Sequence, residues 1–511
     1  MLLGYWPQST SLRLLTASSL TLTAYLIVNS LLRHFSARRM SSLHGCQPIH
    51  AVYPSRWLGV SFIFDNARHF QERNYLQALT RQFQNVGWTH EVRMLGGASI
   101  WTIEPENLKV MLSIRFKDYS LGNRTEVMGP LLGRGVFVTD GEEWQHSRAL
   151  LRPSFTRDQV ANLGMIERHV QNLLLLIPPD GETVELQQLF YRFTMDSSTE
   201  FLFGESTDTL LEHGGGIEFA KAFKNSLQDV SAGMRLGPMH KFRRSDPEAL
   251  RTHRICRDYV DKYVDQALVY RKKRSQEVDA DESGRKTFLT ELAMATDDRE
   301  KMRDELMSLL LAGRDTTASL VGSVIFCLSR SPSRWQKVRE EVGRVLDGRL
   351  PTYEELRSLQ YVKNCVNEAL RLYPPVPNNA KMAVTDTVLP RGGGANGSAP
   401  IFVPKGAMVI YTVFALHRRR DLWGEDAEEF VPERWENHNK FAWEYLPFNA
   451  GPRICLGQQY ALTEAWYLLV RMAQEFENIE SRDSEPWCES LELTVSSGNG
   501  VQVAVHRAKD K

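Results

Sequence analysis

The chain has 511 residues, 42% of them hydrophobic and 24% charged. Lys+Arg and Asp+Glu balance at 62 each, so no global field favours nucleic acid or an acidic partner. The six cysteines (Cys46, Cys256, Cys327, Cys365, Cys455, Cys488) are scattered without a C-x-x-C pair, which argues against a disulfide framework or a zinc site and fits a reducing compartment.

Residues 14–32 carry no charge and are long enough to cross a bilayer. Arg33, His34, Arg38 and Arg39 follow, and positive charge on that flank keeps it cytosolic. The expectation is a single-pass anchor rather than a cleaved signal peptide, since the apolar run exceeds a typical h-region and no A-x-A site closes it. Residues 92–103 alternate loosely and contain Val92, Ile100, Trp101 and Ile103, which suits a small sheet. In the stretch from Gly141 to Arg148, Trp144 and Arg148 lie four apart, on one face of a helix. The middle third reads as long helices, and the charge run 271–286 reads as a solvated loop.

Residues 297–330 carry a helix that is apolar nearly all round, the pattern of an element buried through the molecule's centre. Asp297 and Glu300 resemble its capping box, and Ser331-Pro332 ends it. Within it, Ala312-Gly313-Arg314-Asp315-Thr316-Thr317 breaks the local rules, because an Asp-Thr pair in a buried helix is costly and Gly313 weakens it. Such a breach is expected at a functional site. The plainer alternative is a threonine bonding back to its own helix beside a paired aspartate.

Glu368 and Arg371 sit three apart on the next amphipathic helix and meet each other. Leu372-Tyr373-Pro374-Pro375 follows, and Pro432-Glu433-Arg434-Trp435 comes later. Residues 389–397 are glycine-rich but lack a G-K-[ST] ending, and residues 409–414 look like a strand, so a hairpin is expected there and not a phosphate loop. Finally, Phe448-Asn449-Ala450-Gly451-Pro452-Arg453-Ile454-Cys455-Leu456-Gly457 precedes a run with apolar residues at Ala461, Ala465, Leu468, Leu469, Met472 and Phe476, one helix face. A cysteine before a helix is favoured as thiolate by free N–H groups and the helix dipole. Gly451 and Gly457 let the backbone approach something large and flat, and Arg453 offers it a cation.

The pattern F-x-x-G-x-R-x-C-x-G would arise by chance with a probability on the order of 10⁻⁴ in a chain of this length. It resembles the haem loop of the cytochrome P450 family, and the other landmarks follow that family's order. The resemblance implies a mainly α fold with small β-sheets, residues 41–511 forming one haem domain after an anchor at 1–40. It implies haem b held by Cys455 as the metal ligand, with Phe448, Gly451, Arg453, Trp144, Arg148 and Lys381 around it. The thiolate donates electron density and favours O–O cleavage. Asp315 and Thr316 would relay protons over the oxygen face, Gly313 would make room for dioxygen, and Glu368, Arg371 and Arg434 would form a buried charge network. The motifs are most similar to the fungal n-alkane and fatty-acid hydroxylases, which usually carry Arg where this chain has Lys381; lysine keeps the charge but loses the two-pronged geometry.

The implied activity is insertion of one atom of O2 into an aliphatic C–H of a hydrophobic substrate. That substrate is a fatty acid, an alkane or the alkyl part of a fungal secondary metabolite, the last in a polyketide or terpenoid tailoring step. An O2-independent isomerase or dehydratase and a non-catalytic haem sensor are the rivals, and the retained Asp315-Thr316 pair counts against both. No flavin or nicotinamide fingerprint is present, so electrons would come from NADPH through a separate cytochrome P450 reductase, docking near Arg334, Lys337, Arg418, Arg419 and Lys440. Substrate contacts are expected from residues 120–135, 219–239, 306–316, 376–380 and 496–501. The expected setting is the endoplasmic reticulum membrane, monomeric, with the catalytic domain cytosolic and the sequons at Asn123 and Asn396 bare.

Overall fold

One helix, Arg299–Ser329, threads the molecule, and its two halves anchor two different parts of the core. The structure, a computed structural model, describes residues 10–54, 59–94, 97–155, 162–212, 216–242, 246–274, 287–437 and 442–508. Met302, Leu306 and Leu310 pack with Phe219, Val264 and Phe288, whereas Val321, Val324 and Leu328 pack with Phe193, Trp335 and Leu469. The division falls at residues 312–317, where the polar motif interrupts the apolar stripe. The helix begins one residue later than the sequence suggests. Asp298, not Asp297, is the cap: its side chain accepts from the Lys301 N–H, while the Asp297 carboxylate points outward to Arg271 at 3.7 Å. Either aspartate could serve the orphan N–H groups, and backbone geometry selects between them.

The architecture is mainly helical with small sheets, as expected. The largest sheet has five strands in the order Thr89–Met94, Gly97–Thr102, Met408–Thr412, Asn378–Ala383, Tyr119–Ser120. Gly97–Thr102 runs parallel to Met408–Thr412, and the other pairings are antiparallel. Lys381 lies opposite Val409 in this register. The glycine-rich piece does lie in a hairpin, but its strands are Thr387–Gly393 and Ala399–Val403; the expected strand, observed as Met408–Thr412, joins the five-stranded sheet instead. The charge run is not all loop: helix Pro247–Arg274 takes its first four residues, and residues 275–286 lie outside the described structure.

Thr10–His44 is helical and contains the expected anchor segment. Among the described residues, the helix that combines length with enough apolarity to cross a membrane is Arg299–Ser329, and 78% of its apolar window is buried inside the protein, so it is a core helix.

Glu368 and Arg371 on helix Gln360–Leu372 are fully buried and joined by two bonds of 2.9 and 2.8 Å. Arg371 also donates to the carbonyls of His417, Ala427 and Glu429. Glu368 in turn accepts from Arg434, the Val431 N–H and Trp435 Nε1. Nearly every polar atom of the pair is satisfied, which is what allows charge at zero exposure. The network ties the central helical core to the segment leading into the cysteine loop. Glu368→Ala leaves Arg371 and Arg434 without their buried carboxylate and is expected to lower stability by about 3–5 kcal/mol, read from the denaturant midpoint. An unchanged midpoint would contradict this account of the network.

Candidate active site

The cysteine loop is shaped by close backbone contacts. Gly451 adopts φ +67°, and a Cβ there would fall 1.9 Å from the Leu112 carbonyl oxygen, so no other residue fits. Asn449, also at positive φ (60°), accepts from the Tyr411 hydroxyl at 3.2 Å. Cys455 donates its N–H to the Phe448 carbonyl at 3.0 Å, and the helix Gln458–Glu475 starts just beyond it. Cys455 is accessible, yet protein atoms surround it closely enough for desolvation to push its thiol up. The Gly457 N–H and the Arg148 charge act in the other direction but do not win. The sequence expectation of a depressed thiol is thus reversed in the protein alone, because burial outweighs the helix terminus. A directly bonded cation would restore the thiolate.

Beside the sulfur stands a group of cations. Arg453 lies 4.4 Å from the Trp144 ring centroid and donates to the Thr139 carbonyl and to Asp140 Oδ1, both at 2.7 Å. Its Nε is buried with no partner. Desolvation lowers Arg453 to about 10, against the pull of Asp140. Arg148, one helical turn from Trp144 on Gly141–Leu151, is lowered by burial as well. Lys381 is buried and pushed down to about 7, by desolvation first and then by Arg453 and Arg124. It makes no hydrogen bond to another described residue. Arg124, which sequence reasoning missed, donates to Asn379 Oδ1 at 2.9 Å and is likewise lowered by burial. Arg124, Lys381 and Arg453 therefore share one carboxylate, Asp140, and Arg148 adds a fourth positive charge beside Arg453. Such an excess suits a rigid dianion, and a porphyrin's two propionates beside an axial thiolate meet that description. The donor set and the glycine-lined backbone fit haem.

The polar motif of Arg299–Ser329 is arranged differently from the sequence expectation. A Cβ on Gly313 would meet Ser198 Oγ at 2.7 Å. The glycine thus makes room for helix Leu186–Phe203. Arg314 donates to Asp315 Oδ1 at 2.6 Å and lies 5.0 Å from the Tyr191 ring and 5.9 Å from that of Phe223. Burial raises the Asp315 carboxyl, while Arg314 and then Lys224 oppose it. Thr316 Oγ1 donates to the Ala312 carbonyl at 2.7 Å. Both features of the plainer alternative are therefore present at rest, and the hydroxyl keeps its acceptor lone pairs.

Behind this helix, a second polar group escaped the sequence reading. Glu464 is fully buried and accepts from Ser197 Oγ at 2.5 Å, and its other oxygen has no protein partner. The Thr463 hydroxyl, Ser198 Oγ and Thr317 Oγ1 are also buried without partners among the described residues, the setting in which ordered water is held. A charged residue within an apolar helical run was the available signal.

The proposed docking cations are corrected in part. Arg418 and Arg419 are buried: one lies 3.6 Å from the Phe414 ring, the other 4.6 Å from Trp88 and paired with Asp421. Aromatic faces and carboxylates take them out of solvent. Arg334 and Lys337 stay partly or largely open beside Glu433, and Lys440 lies outside the described residues.

A cysteine at the head of a helix, a cluster of cations around one carboxylate and a long helix with an acid-alcohol pair fit the haem-thiolate class of oxygenase. The family model for cytochrome P450 matches residues 59–499. Similar curated proteins include the cytochrome P450 monooxygenase fsdH of Fusarium heterosporum, 61% identical over 98% of this chain and 90% of that protein. Another is the cytochrome P450 monooxygenase himC of Aspergillus japonicus, 53% identical over 99% of this chain and 93% of that protein. Cytochrome P450 52A3-B of Candida maltosa is 43% identical over 79% of this chain and 80% of its own length. The chain belongs to the cytochrome P450 family and is a haem b-dependent monooxygenase.

Glu464 carries a testable pH signature. Desolvation raises its carboxyl from 4.5 to about 8, so between those values the folded protein holds a proton that the unfolded chain has released. Stability should fall as pH rises through that window, by at most about 1.4 kcal/mol per pH unit. Glu464→Gln mimics the protonated form and should flatten the decline, its advantage over the wild type growing toward pH 8. An advantage that does not change with pH, read from denaturant unfolding, contradicts the assignment.

Proposed function

We propose that this monooxygenase hydroxylates an aliphatic C–H of a hydrophobic substrate, with Cys455 as the proximal ligand of its haem. Supporting it above all is the recess beside Cys455, where Arg124, Lys381 and Arg453 share the Asp140 carboxylate and Arg148 stands beside both Arg453 and the sulfur. Arg453, Arg148, Lys381 and the Trp144 N–H would hold the propionates, and Phe448 and Gly451 would shape the loop against the haem. When bound, the haem supplies dioxygen activation, with thiolate donation favouring O–O cleavage. The chain's own residues place the substrate carbon, exclude water and manage protons. Thr316 Oγ1 can release the Ala312 carbonyl and turn its proton toward the chamber. Asp315, held by Arg314 and raised by burial, reloads that hydroxyl through water.

The substrate class follows from the resemblance of the loop and flanking motifs to fungal alkane and fatty-acid hydroxylases. Higher identity to the two filamentous-fungal monooxygenases than to the Candida relative keeps the alkyl chain of a secondary metabolite beside free fatty acids and alkanes. NADPH–cytochrome P450 reductase supplies the electrons, with Arg334 and Lys337 as candidate contacts. Residues 1–40 anchor the protein in the endoplasmic reticulum membrane, with residues 41–511 as a monomeric cytosolic haem domain. Deleting residues 1–40 should then move the protein to the soluble fraction.

With reductase, NADPH and heavy-isotope dioxygen, one labelled oxygen should enter an aliphatic alcohol. Thr316→Ala should cut product per NADPH consumed by about tenfold or more and raise peroxide release. A product that carries no oxygen from the labelled dioxygen, or coupling untouched in Thr316→Ala, contradicts the proposal.

A further inference from the structure

The segment between Ser120 and the Trp144 helix is tied at both ends to carboxylates. At its base, Asp140 Oδ2 accepts from the Leu121 N–H at 2.8 Å, while Oδ1 of the same residue holds Arg453 at 2.7 Å. At its far end, two consecutive carboxylates of the central helix accept alternate backbone N–H groups. Asp304 Oδ2 takes Arg134 N–H at 2.7 Å, and Glu305 Oε2 takes Val136 N–H at 2.9 Å. Lys301 closes the contact, reaching the Arg134 carbonyl at 3.1 Å, Ser147 Oγ at 2.7 Å and Glu305 Oε1 at 3.0 Å. Arg303 balances Asp304 at 3.1 Å.

The loop side is cut to match. A Cβ on Gly133 would fall 2.0 Å from Asp304 Cγ. A Cβ on Gly135 would fall 2.3 Å from Ser308 Oγ and 2.5 Å from the Asp304 carbonyl oxygen. Only glycine at both places lets this backbone lie against the helix. Asp304 and Glu305 are buried, so their hydrogen bonds to the loop are made away from competing water and are stronger for it. Asp304 precedes Gly313 by nine residues, roughly 13 Å along the axis.

We infer that Asp304 and Glu305 are positioning residues for substrate selection: they clasp residues 133–136 to the central helix and so set the width of the chamber. This rests on the reading, given under Proposed function and its family resemblance, that residues 120–135 border the substrate. The same segment also steadies Arg453 through Asp140, so one strap joins the substrate wall to the cationic recess. Loosening the clasp lets the wall breathe, which speeds ligand escape and blunts discrimination between chain lengths.

The test uses the full-length haem-loaded protein and three variants. Asp304→Ala acts from the helix, Gly135→Ala wedges the contact from the loop without touching a carboxylate, and the third combines them. Amide hydrogen exchange over residues 131–138 should rise about tenfold or more in each single variant. Spectral dissociation constants for saturated fatty acids of increasing length should rise roughly fivefold for the tightest binder and converge across the series. The double variant should add little to the larger single effect, since both changes open one contact. Asp304→Asn, which keeps an acceptor, should recover part of both effects. Unchanged exchange in folded Gly135→Ala overturns the clasp. Raised exchange with an unaltered affinity series overturns its role in selection, whereas a merely structural clasp would lower the melting temperature and leave that series alone. A wild type with no spectral response to any fatty acid, but with a thiolate-type carbon monoxide band, strikes the proposed substrate class instead, and the exchange arm still decides the clasp.

Discussion

Four basic side chains drawn out of water toward one recess are the constraint on which this structure turns. Desolvation lowers each of Arg124, Arg148, Lys381 and Arg453, and Asp140 answers only one charge. Holding like charges together at partial burial is unfavourable unless an anion joins them. The surrounding fold is arranged to keep them there. Strand Asn378–Ala383 carries Lys381, helix Gly141–Leu151 carries Trp144 and Arg148, and the glycine-shaped loop brings Arg453 beside Cys455. The buried Glu368–Arg371–Arg434 network then fixes the approach to that loop from the opposite side. A haem whose propionates lay among these cations and whose iron was bound by Cys455 would resolve the electrostatic imbalance and the raised thiol together.

The central helix shows the complementary compromise. Its apolar faces bind two cores, and the polar motif lies where the cores part. Arg314, Asp315, Thr316 and Gly313 each take a local partner at rest: an aromatic pair, a guanidinium, a carbonyl and the neighbouring helix. The motif is therefore tolerated structurally before it is used chemically. In the proton relay proposed above, the Thr316 hydroxyl would leave the Ala312 carbonyl by rotation about one side-chain bond, so the resting arrangement and the proposed reactive one are close neighbours.

Features carried by short, fixed spacings were legible in the sequence. The cysteine loop, the Trp144–Arg148 pair, the Glu368–Arg371 pair and the glycine-rich hairpin each depend on residues within one turn or loop. What was not legible depends on partners far apart in the chain. Arg124 meets Asn379, Glu464 meets Ser197, and Asp304 meets the Arg134 backbone; no local pattern encodes those encounters. Arg418 and Arg419 misled for the opposite reason. A pair of arginines in a loop reads as surface charge, yet aromatic faces and carboxylates bury both. The contact of Gly313 with Ser198 was not legible either, because a missing side chain does not say which neighbour it accommodates.

The most direct test of the account is the spectrum of the reduced, carbon monoxide-treated protein, compared between the wild type and Cys455→Ser. A thiolate-type long-wavelength band in the wild type, lost in the variant, is the result expected from a sulfur–iron bond at that loop. A band that persists without Cys455, or a wild type that binds haem without ever showing it, would contradict the assignment.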